Sequence, residues 1–242
     1  MRKVIKKHLN NQMSHRLTAP TLGETAIATQ AIEFIQSDNF PCVGAKAALV
    51  QGNIEFRIYE SLDSADCETS LHLDLQEYVT QLNVDDPRVQ SFAAIFLNSP
   101  NQTEAQFEVS LWSRLKGLSD MNADLDYEWS PNTSPDPENP HFSMSLAGHP
   151  FFIVGMHPGA SRLARRSPFT MLVFNSNLQF NALKADGRYA KLQKVIRERD
   201  AALQGSINPN LADFGESSEA RQYSGRPVGS EWRCPVDFED KP

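Results

Sequence analysis

The sequence predicts a single α+β domain: a mixed, mainly antiparallel sheet packed with helices, with a long C-terminal segment wrapping it. Three observations lead there. Apolar residues recur at helical spacing in several stretches. Two strand-like runs are joined by a turn of four residues, which argues against an all-parallel sheet. The chain has 242 residues, 40% of them hydrophobic, enough for one substantial core.

The first helix falls at Gly23–Gln36, where Ala26, Ile27, Ala31, Ile32, Phe34 and Ile35 recur at helical spacing. Asp38-Asn39-Phe40-Pro41 then turns the chain into a short helix from Cys42, with Pro41 in its first turn. Ile54–Tyr59 alternates and reads as a half-buried strand. Leu71–Leu82 is helical, and Ser91–Leu97 is a buried strand. Thr103 caps a long helix through Leu118, because its hydroxyl satisfies an orphan amide of the first turn. The loop 122–140 carries Pro131, Pro135, Pro137 and Pro140 and forms no regular structure. Strands follow at 142–146, 151–156 and 169–174, with a hairpin turn at Ala147–Pro150 that includes His149. Phe180–Leu203 is helical with a break near Gly187. From Gly205 the chain is rich in Gly, Pro, Ser and Asn, and a tail this long either is disordered or wraps the domain and builds a site.

Residues 1–20 are basic without the apolar core of a secretory signal, and are expected to form a flexible leader. Residues 21–242 then form the single domain. No run of 18 apolar residues is present, which excludes a membrane-spanning helix. A net charge of −7 opposes nucleic-acid binding through bulk charge. Three cysteines, an odd and small number, suit a reducing compartment, so a cytoplasmic location without membrane or nucleic-acid partners is expected. There is no Walker A, GxGxxG, GxSxG, HExxH or CxxC sequence. Nucleotide hydrolysis, dinucleotide redox chemistry, serine hydrolysis and zinc peptidase activity are accordingly disfavoured.

Three segments could carry chemistry. In the first, His157 ends an apolar strand, and Arg162, Arg165 and Arg166 follow. An imidazole against an apolar wall can ligate a metal or haem iron, and nearby guanidinium groups can hold propionates, phosphates or carboxylates. The bland reading is a strand-end histidine bonded to backbone, with surface arginine pairs. The second is Cys42 at a helix opening near Lys46, where the helix N-terminus would lower the thiol pKa. A thiolate is the rival iron ligand, against a buried inert cysteine as the bland alternative. The third is the tail, whose Asp213, Glu216 and Glu219 could receive a guanidinium or ammonium group, or could be plain solvated residues. His141 is a possible additional ligand or a strand-end histidine.

The order of motifs resembles the YqcI/YcgG family of bacterial proteins. The residues that carry it are Phe40-Pro41-Cys42-Val43-Gly44-Ala45, Pro140-His141-Phe142-Ser143, Gly155 to Arg166, Leu172-Val173-Phe174-Asn175, and the tail from Leu203 through Arg221-Gln222-Tyr223-Ser224-Gly225-Arg226. The family is similar to haem-dependent N-oxygenases, so the resemblance implies haem b as cofactor. It also implies O2 as oxidant, an external electron donor, and hydroxylation of a guanidine or amine nitrogen on a small cationic substrate. On that expectation His157, with Cys42 as alternative, ligates the iron. His141, Arg162, Arg165 and Arg166 complete the cofactor set. Asp213, Glu216, Glu219, Arg221 and Tyr223 face the substrate. A haem-binding or haem-sensing protein without turnover is the alternative, and a cofactor-free module for a cationic small molecule is the third.

Overall fold

The computed structural model describes residues 22–86, 88–99, 101–211 and 216–238. The expected leader at 1–20 lies outside them.

Helices α1 (Leu22–Gln36) and α2 (Val43–Val50) precede strand β1 (Ile54–Tyr59). Helix α3 (Ala65–Gln81) then crosses to β2 (Ser91–Phe96), and α4 (Glu104–Asp124) follows. The hairpin strands β3 (Met144–Leu146) and β4 (His149–Met156) lead through a 3-10 turn at Leu163–Arg165 to β5 (Thr170–Ser176). Helices α5 (Asn177–Ala185) and α6 (Arg188–Gln204) come next, and the tail holds a second 3-10 turn at Glu219–Gln222.

The five strands form one sheet in the order β1-β2-β5-β4-β3. Only β1 and β2 run parallel, Ile54 opposite Ser91, because α3 carries the chain back between them as parallel pairing requires. The remaining pairs are antiparallel. Alternation along the strands gives each face its own core. Phe92, Phe96, Ile153 and Phe174 meet α3 and α4 through residues such as Leu71, Phe107, Leu111 and Trp112. Ala93, Ile95, Met156 and Met171 meet Ala31, Ile35 and Phe40 on the opposite face.

Local chemistry explains the element ends. Thr103 and Gln106 form a reciprocal capping box on α4. The hairpin turns through Ala147 and Gly148, with φ of 51° and 72°, the left-handed pair that matches strand twist. His149 therefore belongs to β4 and is buried, rather than lying in the turn. Pro41 stands before the cap residue Cys42, so it precedes the first turn of α2 rather than occupying it.

The tail wraps the domain. Gly155 N donates to Tyr223 O at 2.7 Å, beyond the point where β3 ends and frees the edge of β4. A Cβ on Gly155 would lie 2.7 Å from Leu111 and 2.8 Å from Tyr223 O, so the tail approaches this closely only because the residue is glycine. The buried Glu108 of α4 accepts from Ser224 Oγ at 2.9 Å, Arg226 Nε at 3.0 Å and Trp232 Nε1 at 3.2 Å. Glu108 is buried and Arg226 only partly so, and removing Arg226 to leave the carboxylate unpaired would cost about 3–5 kcal/mol.

Candidate functional site

His157 follows β4 directly and continues its alternation, so its ring falls on the face that meets α4. There it stacks on Phe107, with ring centroids 4.4 Å apart and planes 24° apart. The residue is only 2% exposed, and among the described residues neither Nδ1 nor Nε2 has a hydrogen-bond partner. Burial pushes its pKa down, opposed by the charge of Glu104. The result is a neutral imidazole with two unspent nitrogens, a rare condition for buried polar groups.

The turn after His157 covers the ring. A Cβ on Gly159 would lie 2.7 Å from Gln102 O and 3.4 Å from the imidazole, so only glycine fits there without displacement. Glu104 Oε1 holds the turn, accepting from Ser161 N at 3.0 Å and Ser161 Oγ at 2.8 Å.

The three arginines point in three directions. Arg162 is buried in an ion pair with Asp200 at 2.5 Å and also donates to Ser206 O at 2.9 Å. Arg165 donates to Gly155 O at 2.9 Å and Gln222 O at 3.1 Å, bridging β4 to the tail. Burial brings its pKa down to about 10, opposed by Asp200 and Cys42. Arg166 donates to Ala160 O at 2.8 Å and remains exposed. Arg162 and Arg165 thus fasten backbone, Arg165 only partly buried, and Arg166 is the most exposed of the three.

Cys42 lies on the other face of the sheet, packed with the Met156 and Met171 cluster. It caps α2, its Sγ accepting from Ala45 N at 3.4 Å. Burial pushes its thiol pKa up, outweighing the helix amides and Arg165. The expected lowering is thereby corrected: a helix terminus favours thiolate only where the sulfur is not also desolvated. His141 is exposed in the loop before β3.

The tail residues form a second group. The Glu219 carboxyl accepts from Tyr223 Oη at 2.6 Å and from Asn177 Nδ2 at 3.1 and 3.2 Å. Ser143 also bonds it, and Lys184 acts on it through charge. Burial pushes Glu219 up to about 7 despite these groups. Tyr223 is fully buried, stacked on Trp112 at 5.4 Å, with its hydroxyl 3.1 Å from Phe151 O. Arg221 donates to Gly229 O and lies 5.5 Å over the Trp232 ring. Glu216 is exposed, and Asp213 lies outside the described residues.

Tyr223 spans the two groups: its hydroxyl meets Phe151 O and the Glu219 carboxyl, and its carbonyl accepts from Gly155 N, two residues before His157. The Glu219 carboxyl itself stays at the Phe151 end of β4, six residues from His157, and at about 3.3 Å per residue that is roughly 20 Å. Sequence reasoning missed Phe107, Glu104, Asn177, Ser143 and Glu108. Glu108 left a readable signal, a carboxylate beside Phe107 and one turn before Trp112 in an apolar stripe. Asn177 and Ser143 left none, since their role depends on where the tail docks.

A single mixed α+β domain, its sheet closed over by its own C-terminal segment, defines the class of protein. The chain belongs to the YqcI/YcgG family, whose model matches residues 31–237. No curated protein and no solved structure matches it. Among the described residues no helix is long and apolar enough to cross a membrane.

The donors present fit a haem iron in one respect, because His157 offers a neutral, unpartnered imidazole. Among the described residues no three His, Cys, Asp or Glu side chains converge on a metal position. A single protein ligand to an iron already held by a porphyrin needs no such cluster.

Proposed function

We propose that this chain is a haem b-dependent N-oxygenase with His157 as the iron ligand. It would act on a guanidine or amine nitrogen of a small cationic substrate, using O2 and two electrons from an external donor. One oxygen atom enters an N–H bond to give N–OH, and the other leaves as water with two protons. The observation that carries the reading is the buried His157 ring with both nitrogens unpartnered among the described residues. Membership of the family supports the cofactor class.

Haem, when bound, supplies the binding and reductive activation of O2. The chain supplies the rest. Phe107 fixes the plane of the imidazole, and burial keeps it neutral so that its lone pair is available. Arg166 is the arginine open to a propionate, whereas Arg162 and Arg165 hold the loop and tail in place. The His157 nitrogens are covered, so ligation requires the turn 158–161 to shift. Glu219 and Tyr223 anchor the tail, and the Glu219 carboxyl lies some 20 Å along β4 from His157. That separation favours a second reading, haem binding without turnover.

The test is to titrate the purified full-length chain with haem and follow the Soret band. His157→Ala should lose the bound spectrum and regain it with added imidazole, whereas Cys42→Ser should keep it. Incubation with O2, reductant and arginine should yield an N-hydroxyguanidine. Haem retention without any N–OH product selects the second reading. A wild-type chain that takes up no haem overturns both.

A further inference from the structure

On the face of the molecule served by α2, that helix and the α5–α6 pair bound a groove of ≈ 430 Å3. Ligand pockets run from about 300 to 1,000 Å3, so the space suits a small molecule. Ala48, Leu183 and Leu192 make an apolar floor, the first two almost completely buried. Every charged side chain lining the groove is cationic: Arg88, Arg188 and Lys191. In a chain of net charge −7 that local excess is opposite in sign to the whole.

The three cations are not equivalent. Arg88 and Arg188 each pair with an aspartate two residues away, Asp86 and Asp186, at 2.5 Å. Both pairs are local and their guanidinium groups are about half exposed, so they hold those groups in place but contribute little that a competing anion must overcome. Lys191 has no ion pair among the described residues. It stands three residues after Arg188, and therefore on the same side of α6. One uncompensated positive charge at the rim of an apolar floor calls for one negative charge on an apolar body.

We infer that this groove binds a carboxylate on a hydrocarbon body, of the fatty-acid kind, with its head at Lys191 between the two arginines and its chain over Ala48, Leu183 and Leu192. The site uses none of the residues around His157, so it stands whether or not the chain carries haem. Neutral apolar molecules lack the head contact, and short carboxylates lack the floor contact. Each should therefore bind more weakly than the combination.

The experiment is calorimetric titration of the full-length chain with decanoate below its micelle concentration, against decanol and acetate. One saturable decanoate site is expected, with decanol and acetate at least tenfold weaker. Lys191→Glu, on an exposed side chain, should weaken decanoate at least tenfold. Leu192→Glu should do the same by placing a like charge over the floor. Where Leu192→Glu fails to fold by circular dichroism, Lys191→Glu and the decanol comparison decide. Because haem also joins carboxylates to an apolar body, the titration is repeated in His157→Ala, where decanoate affinity should be unchanged. Absence of a saturable site, decanol binding as tightly as decanoate, wild-type affinity in Lys191→Glu, or loss of binding in His157→Ala would each overturn the assignment.

Discussion

Replacing Glu219 by glutamine should alter how stability depends on pH. The carboxyl is held at about 7 in the folded chain against an ordinary value of 4.5. Between those two values the folded state binds a proton that the unfolded state has released. Stability is therefore fully supported below about pH 4.5 and falls as pH rises through 7. A difference of about 2.5 pH units at 1.36 kcal/mol each gives a loss of about 3 kcal/mol, a large part of a domain's total stability. The cause lies in the partners. The buried Glu108 and Asp200 have arginine nitrogens within hydrogen-bond distance, whereas the hydrogen bonds to Glu219 among the described residues come from the neutral donors Tyr223, Asn177 and Ser143, with Lys184 acting through charge. The assay is urea unfolding of wild type and Glu219→Gln at pH 5, 6, 7 and 8. Glutamine cannot ionise, so the stability of the variant relative to wild type should rise by about 2.5 kcal/mol from pH 5 to pH 8, part of the loss having already occurred below pH 5. A gap that stays constant within about 0.5 kcal/mol would refute the argument, because other titrating groups cancel in the comparison.

Other substitutions test the remaining structure. His149, buried with its Nε2 2.8 Å from Ser176 Oγ, is pushed down to about 4 by burial, so it stays neutral in the fold. Its contribution is present above pH 6.5 and is lost as pH falls through 4, and His149→Asn should flatten acid unfolding over that window in a fluorescence titration. Glu108→Ala removes the acceptor of Ser224, the partly exposed Arg226 and the Trp232 indole, and should cost about 1–3 kcal/mol and expose the tail to limited proteolysis. Gly155→Ala sets a methyl against the Tyr223 carbonyl and should lower the thermal midpoint by overpacking worth about 1–3 kcal/mol. Thr103→Ala removes the α4 capping box and should cost about 1 kcal/mol in denaturant unfolding, with the fold intact.

Much of the fold was legible because local signals agreed with it. Thr103 marked the start of α4, and Gly187 marked the break between α5 and α6, where φ is 76°. The α4 stripe was read only to Leu118, yet the helix runs to Asp124, since the polar last turn has no period to follow. The parallel β1–β2 pair left no mark, because register between strands separated by a helix is a tertiary matter. The site was harder. His157 beside an apolar strand was visible, and so was a tail fit to wrap. That Arg162 belongs to Asp200 and Arg165 to backbone carbonyls was not, because partners distant in sequence leave no spacing to read. Cys42 misled for a related reason. Its helix N-terminus is a local feature, but the cluster that desolvates it includes Met156 and Met171, more than a hundred residues away.

The clasp between α4 and the tail also dictates an order of events during synthesis. Glu108 and Trp232, joined by a hydrogen bond, are 124 residues apart. A ribosome adding about 5–20 residues per second separates their emergence by roughly 6 to 25 seconds. For that interval α4 exists without Ser224, Arg226 and Trp232, and the Gly155 amide lacks its acceptor. The nascent sheet therefore waits with an open strand edge beside an unneutralised carboxylate. Its completion comes only once the chain through Trp232 has left the tunnel, so a chain halted short of that residue is left with the edge exposed to other nascent chains.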